Sequence, residues 1–114
     1  MKKVIQILLS IFFAIAIGTH IYNVIEKDGQ PFWWHCIYYA TYGICWFMLF
    51  FKNKNAMLIY FLSAIFPFVT HAYYAYGHLI KQDHHYTEIG ICILTCVMLA
   101  LGFFRIRNQI QIQE

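Results

Sequence analysis

Apolar residues fill four long runs, at 4–25, 32–51, 56–80 and 86–104, and only short polar connectors separate them. A membrane span needs about 20 mostly apolar residues, so each run predicts one transmembrane helix. The connector Glu26-Lys27-Asp28-Gly29-Gln30-Pro31 combines a glycine suited to an unusual dihedral with a proline suited to the first position of a helix. Lys52-Asn53-Lys54-Asn55 makes a second tight turn. Connectors this short force consecutive helices to run side by side in opposite directions. The expected architecture is therefore an all-α, up-down-up-down bundle of four transmembrane helices, one domain over residues 1–114.

Composition agrees with a bilayer setting. Hydrophobic residues make up 61% of the chain and charged residues 11%, against about 45–50% and about 25% in a soluble domain. Almost nothing is left for a soluble unit, so any chemistry is expected within the bilayer or at its surface. Met1-Lys2-Lys3, an apolar run and Ala14-Ile15-Ala16 together imitate a cleaved secretory signal. The run continues through Ile17, Ile21 and Ile25, however, which predicts a retained signal-anchor helix. The tail from Arg105 to Glu114 alternates polar and apolar residues and reads as a frayed end that prolongs the last helix or lies on the membrane surface.

Charge adds an orientation. Lys2, Lys3, Lys52, Lys54, Arg105 and Arg107 gather at the two ends of the chain and in the second connector. By the positive-inside rule both termini are cytoplasmic. The opposite face carries Glu26, Asp28, Asp83 and Glu88, and is acidic although the whole chain has a net charge of +3. An acidic mouth attracts cations and does not suit nucleic acid. Trp33 and Trp34 fall at the same interface, where indole rings anchor helices at headgroup level.

All six histidines lie on that non-cytoplasmic side. An ionisable group at membrane depth is costly and is a functional candidate by default. His20 stands roughly 7–8 Å inside the apolar layer and His71 about 13 Å, at about 1.5 Å per residue. His35, His78, His84 and His85 sit nearer the surface. Helical spacing gives each span one polar edge: His71, Ala75 and His78 on the third, with Pro67 one turn below; His35, Tyr38, Tyr39, Tyr42 and Trp46 on the second; Glu88, Cys92 and Cys96 on the fourth. Pro67 cannot donate to the carbonyl of Ser63, which predicts a kink just below His71.

These edges predict an outward-opening His/Tyr/carboxylate pocket for a metal ion or another small ligand. Imidazole is the commonest side-chain metal ligand, and rim carboxylates complete a shell for zinc, copper or iron. The candidate ligands are His20, His35 and His71, then His78, His85 and Glu88. No HExxH, HxxxH or CxxC spacing is present, and satisfied core histidines bonded to tyrosine or to a helix carbonyl are the simpler alternative.

Haem b is a related option, with His20 and His71 as axial ligands. Thr19-His20-Ile21-Tyr22 recurs as Thr70-His71-Ala72-Tyr73, an echo that would set the two histidines across the bundle centre. Their depths differ by about 6 Å, which fits a flat macrocycle poorly. A third option uses the tyrosines, with Tyr42 and Tyr74 lining a cleft for a cofactor, quinone or lipid. No carboxylate lies deep in a span, which argues against a small multidrug-type antiporter.

Cys36, Cys45, Cys92 and Cys96 all lie within predicted spans, and read as small buried hydrophobes, with a Cys36–Cys92 bridge as the alternative. The runner-up to a binding protein is an accessory subunit of a larger membrane complex, whose polar residues only stitch helices together. So small a core favours a homo-oligomer or a membrane-protein partner in either case.

Overall fold

A computed structural model describes residues 2–26, 32–81 and 86–113. It is all-helical, with α1 (Lys2–Glu26), α2 (Phe32–Met48), α3 (Lys54–Lys81) and α4 (Tyr86–Gln113). Three helices, α1, α3 and α4, are long and apolar enough to cross a membrane. At 17 residues, α2 reaches only about 26 Å at 1.5 Å per residue. The glycine-proline turn, His84 and His85 lie outside the described residues.

The second helix stops three residues before the apolar run does. Leu49, Phe50 and Phe51 donate their N–H groups three residues back, to Trp46, Phe47 and Met48, at 3.1–3.2 Å. Such tightened bonds use up the last carbonyls of a helix. Asn53 then starts α3: its side-chain oxygen accepts from Ala56 N at 2.8 Å and its carbonyl from Met57 N at 3.1 Å. Those are the bonds of an N-cap.

Helices adjacent in sequence are the main packing partners, whereas α1 meets α4 over a much smaller contact. Leu9 and Phe13 of α1, Tyr38, Tyr42, Cys45 and Leu49 around α2, Tyr60 of α3, and Leu99, Ile106 and Ile110 of α4 form the core. Large aliphatic residues such as Ile7, Ile11 and Ile15 point outward instead. That inversion suits a helix in lipid, where burying an isoleucine in protein gains little over leaving it among acyl chains. Polar groups inside are tied down. Trp46 Nε1 donates to Ser10 Oγ at 3.1 Å, and the hydroxyls of Thr19, Thr41 and Thr95 each donate to the carbonyl four residues earlier at 2.8 Å.

One expectation is corrected here. The tail is not frayed over residues 105–113, because α4 continues through it and seats Ile106 and Ile110 in the core. Arg105 also reaches across to α1, donating from Nη2 to Gln6 Oε1 at 2.7 Å. The alternation that suggested a loose end carries two isoleucines four residues apart, which a helix places on one face. The cysteines are all free, as the reading of them without a bridge expects. Cys36 Sγ lies 3.1 Å from Tyr39 Oη, while Cys45 and Cys96 donate to the carbonyls of Tyr60 and Phe68.

Candidate functional site

Three imidazoles from three helices gather around Tyr38. His20 of α1 lies flat on its ring, with centroids 4.3 Å apart and planes 10° from parallel. His71 of α3 meets the same ring almost at right angles, at 5.4 Å and 77°. His35, one helical turn before Tyr38 on α2, is 2% exposed and brings its Nδ1 to 3.1 Å from His20 Nδ1. One of these nitrogens donates and the other accepts, since two bare lone pairs would repel at that distance. Tyr42, one turn further on, contacts the rings of His20 at 5.7 Å and His71 at 6.5 Å.

The aromatic stripe on α2 is what assembles the cluster. Steps of three and four residues from His35 to Tyr38 to Tyr42 keep all three on the buried face of one helix. Trp34 and Phe66 close around Tyr38 at 5.6 and 4.9 Å. The Tyr38 hydroxyl donates to Thr70 Oγ1 at 2.6 Å, and the Thr70 hydroxyl donates to Phe66 O at 2.9 Å. Tyr38 is thereby locked in both position and ring angle.

His71 is held differently. Its Nδ1 lies 2.7 Å from the carbonyl of Pro67 on its own helix. A carbonyl only accepts, so Nδ1 bears the proton, and Nε2 of the neutral ring is left as a lone pair. Among the described residues Nε2 has no hydrogen-bond partner, and the ring is only half-buried. Anchoring one ring nitrogen on a carbonyl is how proteins fix an imidazole whose other nitrogen must accept a proton, a hydrogen bond or a metal ion.

The remaining candidates occupy other positions along α3 and α4. His78 is half-buried two turns further along α3, and Glu88 is exposed in the first turn of α4. Tyr74 is 40% exposed and its ring contact is with Tyr73 at 6.3 Å. His85 lies outside the described residues. Among those described, no three His, Cys, Asp or Glu side chains gather closely enough to hold a metal ion. The expected protein-only ligand set is therefore not assembled among the described residues.

Tyr38, the hub, and Thr70 were not among the residues singled out as ligands. Tyr38 was legible as a member of the α2 stripe. Thr70 carried a weaker signal, a hydroxyl immediately before His71 in an otherwise apolar stretch. No family model matches this chain, and neither a curated protein nor a solved structure is significantly similar to it.

Proposed function

We propose that this chain is a small four-pass membrane protein that binds a small ligand in its non-cytoplasmic half, between His20, His35 and His71 over the rings of Tyr38 and Tyr42. The observation that carries the reading is the fixed, unpartnered Nε2 of His71. That lone pair is open to a ligand that offers a hydroxyl or N–H, or to a metal ion. Ring stacking on the tyrosines adds affinity for a flat or apolar body.

An up-down-up-down arrangement is supported by the contacts: Ser10 with Trp46 and His20 with His35, then Tyr38 with Thr70 and Cys45 with Tyr60. In each helix pair residue numbers rise on one side as they fall on the other. Placing both termini on the cytoplasmic side follows from the basic residues alone.

Between ligand classes, a hydrogen-bonding small molecule fits better than a metal ion. Zinc sites use three or four protein ligands, and His20 with His35 supplies two nitrogens 3.1 Å apart. Haem fits less well still, because the Tyr38 ring lies against both His20 and His71. A second copy or a membrane-protein partner remains part of the proposal, favoured by the outward face of α1, where Ile7, Ile11, Ala14 and Gly18 follow at helical spacing.

The test compares wild type with His71→Ala, both purified in lipid discs drawn from the native membrane. Metal content and solvent-extracted small molecules are measured on each. Wild type should carry one ion or molecule in constant ratio that the variant lacks, while helix content stays equal. Identical extracts and identical metal content in the two proteins would overturn the reading.

A further inference from the structure

Tyr42 holds a second unanswered group beside His71. Its side chain is 1% exposed, yet its hydroxyl makes no hydrogen bond among the described residues. A buried phenol ordinarily finds a partner for its O–H. Tyr38 and Tyr60 do so, donating to Thr70 Oγ1 and Leu99 O. Tyr42 Oη is also not among the side-chain atoms that are both unpartnered and sealed off, so it opens on space that a water-sized group can enter.

The surroundings of Tyr42 are aromatic and uncharged. Its ring meets His20, Phe12 and Phe13 of α1 and His71 of α3 at centroid distances of 5.7–6.5 Å. From α4, the thiols of Cys92 and Cys96 lie close enough to interact with it electrostatically. Among the described residues no Asp, Glu, Lys or Arg side chain contacts either Tyr42 or His71. A charged occupant would therefore lose its hydration without meeting a counter-charge. Tyr42 needs an acceptor and His71 Nε2 needs a donor, and a hydroxyl is the smallest group that is both. A water molecule answers the same pair, but only a ring compound also gains from the aromatic surroundings.

We infer that the histidine site takes a neutral ring compound bearing a hydroxyl, its O–H donating to His71 Nε2 and its oxygen accepting from Tyr42. The inference rests on the ligand-binding reading of that site. It narrows the ligand to phenols and their kin, and gives Tyr42 a polar role besides its ring.

The probes are para-fluorophenol, para-fluoroanisole and fluorobenzene, added to the protein in lipid discs and followed by fluorine resonance against empty discs. Wild type should bind the phenol saturably and about five-fold more tightly than the anisole, whose oxygen accepts but cannot donate. His71→Ala should erase that difference. Tyr42→Phe, which keeps the ring, should weaken phenol and anisole alike and leave fluorobenzene unchanged. Helix content measured on each variant separates loss of the site from loss of the fold. Equal binding of phenol and anisole by wild type, or no binding above empty discs, would overturn the inference. The broader reading survives that failure if the extracts of wild type and His71→Ala still differ, whereas identical extracts sink both.

Discussion

Gly102→Ala is the sharpest single perturbation of this bundle. A methyl group at that position would collide with the Tyr60 hydroxyl and lie 2.6 Å from its Cζ. Tyr60 is fully buried, and its hydroxyl donates to Leu99 O at 2.8 Å. The ring cannot swing aside without giving up that bond and disturbing the core around it. Overpacking costs about 1–3 kcal/mol, and the lost hydrogen bond about 0.5–1.5 kcal/mol. Against these, replacing a helical glycine by alanine recovers about 1 kcal/mol. The net expectation is a loss of about 0.5–3.5 kcal/mol.

Gly43→Ala provides the control, since an added Cβ there meets nothing within 4 Å. It should be neutral or gain up to about 1 kcal/mol. Unfolding in mixed micelles by a strong detergent, followed by tryptophan fluorescence, reads both variants. Combining Gly102→Ala with Tyr60→Phe removes the oxygen that the methyl group meets, so the pair should be less damaging than the sum of its parts by at least about 0.5 kcal/mol. If Gly102→Ala proves as stable as Gly43→Ala, the close approach of α3 and α4 at Tyr60 is wrong.

Three further substitutions examine other joints by the same unfolding measurement. Asn53→Ala should cost about 1 kcal/mol by removing the cap of α3, and Asn53→Asp should keep it; equal losses in the two would refute the capping role. Ile106→Ala should cost about 2 kcal/mol, the low end of the core range, if the bundle spans a membrane as proposed and lipid replaces water around it. A change near zero would return the end of α4 to the frayed state expected from its alternation. Tyr38→Phe should cost about 0.5–1.5 kcal/mol through the lost bond to Thr70 while preserving the stack on His20. If it disrupts the His20–His35 contact, seen as a change in imidazole proton resonances, Tyr38 acts through more than its ring.

The depth of the histidines could be read from the chain, and with it the grouping of His20, His35 and His71, but not the rings that they meet. Position within an apolar run places His20 and His71 below the surface, because depth follows from counting residues at constant rise. Whether their rings meet depends on the rotation of each helix about its axis. In a soluble protein the hydrophobic stripe sets that rotation. Here the outward faces are as apolar as the inward ones: Ile7, Ile11 and Ile15 are exposed while Tyr38, Tyr42 and Tyr60 are buried. The usual signal is thus missing, and the ranking of His20, His35 and His71 ahead of His78, His85 and Glu88 rested on depth and spacing alone. His20 meets both His35 and the Tyr38 ring, and His71 meets the Tyr38 ring.

Helix ends show the same division. The turn before α3 was visible in Lys52-Asn53-Lys54-Asn55, whereas the cap at Asn53 and the start at Lys54, two residues before the expected span, emerged from the bonds that Asn53 accepts. The early stop of α2 and the persistence of α4 to Gln113 were not visible, because apolar content changes little through Phe51 and polar content rises after Phe104. Contacts decided both: the i−3 bonds closing α2, and the packing of Ile106 and Ile110 with the Arg105–Gln6 bond.

Four apolar runs and short connectors determined an all-helical chain, because each run satisfies its own backbone by forming a helix in any apolar medium. They could not determine which nitrogen of His71 carries the proton, which histidine pairs with His20, or that the Tyr38 ring meets both His20 and His71. Those facts arise from contacts between helices, set by side-chain fit and hydrogen bonds rather than by exclusion from water. A single carbonyl, that of Pro67, settles the protonation of His71, and no count of apolar residues records where that carbonyl lies.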